Sequence, residues 1–523
     1  MKQSSSTSRF IPASLPQWEL SLCYAVWAFH SLAAFAISYR TCIGPVYEWI
    51  EHWMKESSYL PNFRVDVSDS EWLYYKMTIG QLVVAYAGSS LVFMLSYRYL
   101  DAPMARYLQM IAGLVLHVWV TSPSCILSLS VFAVLTIALT AYTRRQVIPW
   151  VLCVAFILQA TQYLPFSIGF IYYREFNMYL YGAIKILNVC ISLCRNPDRS
   201  SKGEYSLEIL HYLTYLPYSM TIIVLFEDFQ AQVEARTKSE NVTKFTIRDN
   251  IIFGLRLLLW AVCFDLLLHV IPVSAIFSSP FTLITGMNGY ELSSIAYVAG
   301  QYFHIKYVVI FGVPSLFARI DGLVPPPPPI CISRVSRYSR MWRHFDAGLY
   351  SFLKTQVYLP IITHPALSSV SRPLALLAAF AIVIVWHGAK RHFLCWVALS
   401  AVELVIERIG VAVWDADRFQ KLRNTLGEVW LRRLVAMSML ATVIPGIFGV
   451  FFFLGNEGIG ETIFTKVLVQ GAVDIGRLNI GFEDGVPTAG WVFLHLLVLG
   501  YFFNNVCLEL EYKEKRKKFV KDE

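Results

Sequence analysis

The sequence predicts an all-α polytopic membrane protein, a bundle of spanning and re-entrant helices. Three observations carry that reading. Hydrophobic residues make up 56% of the 523-residue chain and charged residues 15%, where soluble proteins run near ~25% charged. Mean hydropathy is +0.51. Largely uncharged runs recur along the chain at about 20 residues, the length that crosses a ~30 Å hydrocarbon core. So few charges cannot cover a soluble surface. Intrinsic disorder, a disulfide-stapled secreted fold and a DNA-binding domain are poor explanations, and no strand-period stretch supports a barrel.

In chain order, Leu20–Ile37 and Leu82–Ser96 are the first candidate spans. Tyr107–Thr143 is long enough for two helices, broken where Pro123 sits in a Thr-Ser-Pro-Ser turn, since proline lacks the amide a helix interior needs. Gln146–Tyr173, Tyr179–Leu193, Ser206–Phe226, Ile251–Phe264, Leu266–Tyr290 and Tyr297–Phe317 follow. Five prolines, Pro325–Pro329, then impose polyproline II and end the preceding helix. Ala347–Ile362 alternates apolar and polar residues and holds Lys354. That stretch is too short and too polar for an ordinary span, so it reads as an interfacial or re-entrant helix buried in protein. Pro373–His387, Phe393–Val413, Leu434–Asn456 and Val486–Leu508 complete a set of about ten to twelve membrane elements. No internal repeat supports an inverted-repeat transporter plan. The whole chain, 1–523, reads as one membrane-embedded domain, with a cytosolic or re-entrant basic segment at 318–362 and a basic cytosolic tail at 509–523.

Lys and Arg number 44 against 36 Asp and Glu, a net charge of +8. Lys513, Lys515, Arg516, Lys517 and Lys518 follow the last apolar run and place the C-terminus in the cytosol by the positive-inside rule. Nucleic-acid binding is the weaker reading. Counting back from there puts Asn456–Gly485 in the lumen and the basic loop Asp415–Arg433 in the cytosol. His387 then falls at a luminal helix end. The ten cysteines are scattered, with no CxxC pair and no zinc spacing. Met1–Phe10, serine-rich, resembles no cleavable signal peptide. Asn241-Val242-Thr243 is a glycosylation sequon if its loop is luminal.

Each ionisable group inside a membrane costs about 2.5–3.5 kcal/mol on insertion scales, so each needs a reason. His387, in Trp386-His387-Gly388, ends an uncharged run; Asp346 follows an aromatic and basic cluster and opens the amphipathic stretch. The plain reading of Asp346 is a helix N-cap. Together they offer a histidine base and a carboxylate at membrane depth, which suits acyl transfer. Asp265 and His269 are a rival pair on one helix face, with an internal helix–helix hydrogen bond as the structural alternative. Glu403 and Glu407 also share a face. No GxSxG, HExxH, P-loop or Asp-His-His-Cys pattern occurs in a context that would support it.

An ordered series then carries a resemblance. Leu15-Pro16-Gln17-Trp18-Glu19-Leu20, Asp69-Ser70-Glu71-Trp72, Lys306-Tyr307, Phe311-Gly312-Val313-Pro314 and Arg319-Ile320-Asp321-Gly322-Leu323 come first. Cys331, Met341 through Leu349, Trp386-His387-Gly388, Cys395-Trp396, Leu454-Gly455-Asn456-Glu457 and Gln470-Gly471 complete it. The chain resembles the membrane-bound O-acyltransferase family over nearly its whole length. That resemblance implies a helical bundle with re-entrant helices around a central acyl-transfer cavity. It puts the catalytic histidine on His387 and the polar partner on Asp346. Acyl-CoA contacts and a gate beside the acyl tunnel fall on Trp342, Arg343, Arg340 and Asn456, and a haem ligand falls on Cys331. One departure is Gly449, where a relative has asparagine. The implied co-substrate is palmitoyl-CoA. The acceptor is the N-terminal cysteine amine of a secreted, Hedgehog-like signalling protein, and the setting is the bilayer of the endoplasmic reticulum or the Golgi. Arg334, Arg337, Arg340 and Arg343 would meet the CoA phosphates from the cytosol. An O-acyltransferase acting on a serine or lipid alcohol, a non-catalytic relative, and a transporter relaying protons through Asp265, His269 and Glu407 are the competing readings.

Overall fold

The structure is a computed structural model that describes residues 13–196, 203–238, 245–367 and 370–522. The first ten residues and the sequon at Asn241 lie outside them. Among the described residues eight helices are long and apolar enough to cross a membrane, joined by two shorter apolar helices, Val147–Tyr163 and Ser371–His387. Strand is confined to two short antiparallel hairpins, Met54–Glu56 with Arg64–Asp66 and Phe482–Glu483 with Val486–Pro487.

One helix organises the rest. Ile171–Arg195 has 89% of its apolar window buried, against 17% for Ile247–Val270. The first is the interior post of the bundle and the second a lipid-facing wall. Pro123–Thr143 and Val147–Tyr163 pack on that post, and Ser70–Tyr99 packs beside Ala102–Val120. A second long helix, Gly289–Ile320, is flanked by Gln17–Ile43 and Ile247–Val270. The chain closes with Ala489–Asp522, which lies against both Gln17–Ile43 and the Glu428–Ser438 helix.

Several elements run longer than their apolar cores. The helix expected at Leu82–Ser96 begins at Ser70, capped by the Asp69 side chain, which accepts from Trp72 N at 2.9 Å. The helix expected at Tyr297–Phe317 runs from Gly289 to Ile320 straight through Pro314. The first extension carries Lys76, which pairs with Asp265 of the neighbouring helix at 2.7 Å; Lys306, inside the second expected span, pairs with Asp69 at 2.8 Å. A window that counts charges sees a helix end at Lys76 where the fold has an ion pair.

Three expected spans need correction. Leu266–Tyr290 is not a span. It is the end of Ile247–Val270, a short helix Val273–Phe277, a 3₁₀ turn Phe281–Ile284 and the cap Asn288 of the next long helix. Pro272 and Pro280 break the apolar run, since neither can donate to a helical ladder. Ser206–Phe226 is not one either: after the helix Gly203–Thr214 the chain turns at Pro217, and Tyr212, Tyr215, Tyr218 and Phe226 form an aromatic core with Phe93 and Phe229. Its hydrophobicity belongs to protein packing. Gln146–Tyr173 likewise stops at Tyr163. The expected tail at 509–523 continues the helix Ala489–Asp522.

Arg432, fully buried, ties this terminal helix down. Its guanidinium donates to the Asn505 carbonyl at 2.8 Å and to Asn505 Oδ1 at 3.3 Å, with Glu509 at 3.7 Å. Removing one partner of a buried pair strands the other, at a cost of about 3–5 kcal/mol. Arg432→Ala is therefore expected to lower the thermal midpoint of the detergent-solubilised protein markedly, while Arg418→Ala, on the exposed helix Asp417–Thr425, leaves it unchanged.

Candidate active site

Asp346 is the N-cap of the helix Ala347–Phe352, its Oδ1 accepting from Leu349 N at 2.9 Å. The plain reading of this residue is thus realised. The helix it starts does not stay α-helical: Leu353–Tyr358 is a π-helix, and Leu359–Ile362 resumes α geometry. Such π turns are rare and recur at functional sites. The combined element covers the interfacial or re-entrant stretch read from the sequence. Two contacts seat it. Gln356 Nε2 donates to Asn188 Oδ1 on the central post at 3.2 Å. Gly348 lies so close to the Ile223 backbone that an added Cβ would come within 2.4 Å of its carbonyl oxygen.

His387 closes the helix Ser371–His387, where Gly388 takes φ +95° and ψ 149°, a conformation that favours glycine. The Trp386-His387-Gly388 triplet therefore has a backbone reason for its glycine. The His387 ring packs on Phe453 at 5.0 Å and Trp396 at 5.4 Å. Those rings lead back to the Asp346 segment. Trp396 stacks on Trp342 at 5.5 Å, and Phe453 meets Phe303 at 5.4 Å, which stacks on Phe345 at 5.3 Å. Trp386 is edge-on to Tyr181 at 5.1 Å. Ring contacts thus run without a break from His387 to Phe345, the residue before Asp346, and Asp346 and His387 each keep part of their surface accessible. No hydrogen bond joins them among the described residues.

The arginines fare differently. Arg334 pairs with Glu514 at 3.2 Å, Arg337 with Glu511, and Arg340 with Glu514 at 2.5 Å and Glu511 at 3.5 Å. Three of the four expected phosphate ligands are engaged by carboxylates of the terminal helix. Arg343 alone forms no ion pair among the described residues. The signal was in the sequence: Arg337 and Arg340 are three apart, as are Glu511 and Glu514, a spacing that aligns both pairs on helix faces.

Asn456 fastens a turn. Its Nδ2 donates to the Ser278 carbonyl at 2.6 Å and its backbone N–H to that of Phe277 at 3.0 Å. Gly449 sits where a Cβ would approach Leu399 at 3.5 Å, an ordinary contact. The rival pair is consumed structurally. Asp265 holds Lys76, while His269 contacts the Asp265 backbone oxygen at 2.7 Å and Ser57 Oγ at 3.0 Å. Glu407 accepts from Ser339 N at 3.2 Å. Cys331 caps the 3₁₀ turn Ile332–Arg334, and burial pushes its thiol above the usual range. The expected haem ligand finds no further support: among the described residues no group of metal-ligating side chains gathers. A cavity of about 850 Å³ is lined by, among others, Trp27, His30, Tyr290, Phe448, Phe451 and His495. It adjoins the face of Leu440–Leu454 opposite Phe453, and neither Asp346 nor His387 lines it.

Residues 65–448, which include Asp346, His387 and every ring named around them except Phe453, match the membrane-bound O-acyltransferase family. The chain belongs to the membrane-bound O-acyltransferase family. It is 28% identical over 325 residues to the Mus musculus "Protein-cysteine N-palmitoyltransferase HHAT", covering 60% of each chain. It is 34% identical over 179 residues to "Protein-cysteine N-palmitoyltransferase Rasp" of Drosophila melanogaster, or 34% of this chain and 36% of that one. A third relative, the Mus musculus "Protein-cysteine N-palmitoyltransferase HHAT-like protein", is 25% identical over 259 residues, 49% of each. The matches span 60% or less of these relatives' length. Within this membrane-bound O-acyltransferase, the contact at Gly348 makes a sharp demand. Gly348→Ala forces the Asp346 turn off the Ile223 backbone and is expected to cost about 1–3 kcal/mol. A drop in thermal midpoint checks this; Gly476→Ala, into open space, is the control.

Proposed function

We propose that this protein transfers a long-chain acyl group, palmitoyl, from acyl-CoA to the N-terminal amine of a cysteine on a secreted, Hedgehog-like protein. The observation that carries the proposal is the run of ring contacts from His387 through Phe453 and Phe303 to Phe345. Two polar groups that are costly at membrane depth, from elements some forty positions apart, stand at or next to its two ends. The names of two relatives, protein-cysteine N-palmitoyltransferases, support a palmitoyl group and N-acylation of a protein cysteine.

The chemistry follows from these two groups. A neutral His387 imidazole accepts a proton from the acceptor amine as its nitrogen attacks the thioester carbonyl. The C–N bond forms, the C–S bond breaks, and the imidazolium returns the proton to the departing CoA thiolate. Positioned general-base catalysis of this kind contributes about 10²–10⁴-fold. Asp346 offers negative charge beside the incoming amine, and its backbone cap fixes where that charge sits. Trp342, stacked on Trp396, walls the acyl side. Arg343, without a carboxylate partner, is the arginine open to a CoA phosphate. Aromatic walls keep water from the thioester. The membrane of the endoplasmic reticulum or Golgi brings a cytosolic donor to a luminal acceptor.

Incubation of the purified protein with labelled palmitoyl-CoA and an N-terminal cysteine peptide is expected to yield an amide that resists hydroxylamine. A hydroxylamine-sensitive product would instead place the protein among the ester-forming acyltransferases. His387→Ala is expected to reduce turnover by at least about 10²-fold at unchanged expression. Asp346→Asn keeps a good N-cap residue while removing the charge, so an equally large loss assigns the role to the carboxylate rather than the cap. Wild-type rates from either variant refute the assigned roles.

A further inference from the structure

The cavity of about 850 Å³ takes no part in the acyl transfer described above. Its lining comes from Gln17–Ile43, Gly289–Ile320, Leu440–Leu454 and Ala489–Asp522, and it is elongated along them. On the first helix the lining runs from Trp27 to Arg40, about 20 Å at the helical rise. Trp27 and Phe503, with ring centroids 4.6 Å apart, close the inner end, and Phe448 and Phe451 form one side. The polar groups at mid-depth satisfy one another. The Tyr290 hydroxyl lies 2.8 Å from His495 Nδ1, His495 Nε2 lies 2.9 Å from His30 Nε2, and His30 Nδ1 lies 2.8 Å from the Val26 carbonyl oxygen. Walls of this kind offer water too few partners, and a space of this size is too large for a close-packed interior to leave empty. Hydrocarbon fills it.

Two observations say where that hydrocarbon comes from. Phe29 lines the cavity and is 67% exposed on a helix whose apolar window is only 11% buried, so the cavity borders the lipid-facing surface. The outer end is charged. Of its two charged lining residues, Glu291 already accepts from Asn288 N at 2.9 Å in the cap of its own helix. Arg40, in the last turn of the first helix, is exposed, and its guanidinium has no ion pair or hydrogen bond among the described residues. The opposite end of that helix is fastened beside the basic tail, where Glu19 pairs with Arg433 and Ser14 donates to Glu509. Arg40 therefore stands at the end away from the tail, the luminal end by the positive-inside rule, where arginine is disfavoured. An unpaired guanidinium at the mouth of a hydrocarbon-lined cavity matches a phosphate that carries its own acyl chain.

We propose that this cavity is a binding site for a glycerophospholipid of the luminal leaflet, its phosphate held by Arg40 and one acyl chain running inward to Trp27 and Phe503. The chain enters sideways along Phe29 and lies against Phe448 and Phe451. Those two residues belong to the helix whose other face carries Phe453, packed on His387 at 5.0 Å. The bound chain thus backs the wall of the reaction site without entering it. Neither the acyl group transferred nor the acceptor bears on this site.

Native mass spectrometry of the full-length, delipidated protein, titrated with palmitoyl-oleoyl phosphatidylcholine, reads it out. The wild-type protein is expected to retain the phospholipid at least about tenfold more tightly than a diacylglycerol with the same two chains, which lacks only the phosphate head group. Inorganic phosphate alone is expected not to be retained. Arg40→Gln is expected to weaken phospholipid binding at least about tenfold and to leave diacylglycerol binding within about twofold. Ala34→Phe, which puts a ring into the cavity, is expected to weaken both. The wild-type comparison of phospholipid with diacylglycerol needs no variant to fold. Equal binding of those two lipids, retention of inorganic phosphate without chains, undiminished phospholipid binding in Arg40→Gln, or undiminished binding of either lipid in Ala34→Phe overturns the site.

Discussion

The fold depends on one buried ammonium. Lys185, on the central post, donates to the Leu213 and Tyr215 carbonyls at 3.2 and 3.4 Å and to Ser219 Oγ at 3.2 Å. In a hydrocarbon setting an irregular backbone survives only where protein satisfies its polar groups. The stretch after Thr214 is such a backbone, bent at Pro217 and buried throughout. Lys185 therefore permits a non-helical segment at the heart of the bundle. That segment presents the Ile223 backbone against which Gly348 closes, and Gly348 sits two residues from Asp346. One turn beyond Lys185, Asn188 takes up Gln356 and fixes the other end of the re-entrant element.

The terminal helix imposes a second constraint. Its acidic side draws in Arg334, Arg337 and Arg340, so the segment preceding the site is braced against the last element of the chain. A run of arginines in a membrane protein is commonly solvated at the cytosolic face. Here much of it is structural: three of the four arginines are held by carboxylates of the terminal helix.

Much of this was legible in the sequence, for reasons that also mark where legibility ends. The break at Pro123 and the helix ending at His387 were visible because proline chemistry and long uncharged runs are local signals. The bounds of the element Ala347–Ile362 could be read because its polarity pattern changes abruptly there. Leu266–Tyr290 misled because hydropathy cannot tell lipid from protein interior, and the prolines inside it were outvoted by their neighbours. The helix Ser70–Tyr99 was trimmed too short for the converse reason: Lys76 looks forbidden until its partner, far away in sequence, is known. His387 and Asp346 stood out as ionisable groups at membrane depth, and the resemblance gave them roles. The ring contacts of His387 with Trp396 and Phe453 are a matter of tertiary packing, which no spacing in the chain announces.

The π-helical stretch Leu353–Tyr358 has a further consequence. An α-helix advances ~100° per residue, and a wider turn accommodates an extra residue without lengthening the path to match. Whatever precedes the stretch is therefore out of phase with whatever follows it. Deleting a single residue there would let the ladder relax to regular geometry, rotating Asp346 relative to Leu359–Ile362 by about a quarter turn or more. The segment tolerates exchanges of side chain more readily than changes in length, and homologous chains that differ in length at this point are expected to have repositioned their acidic cap.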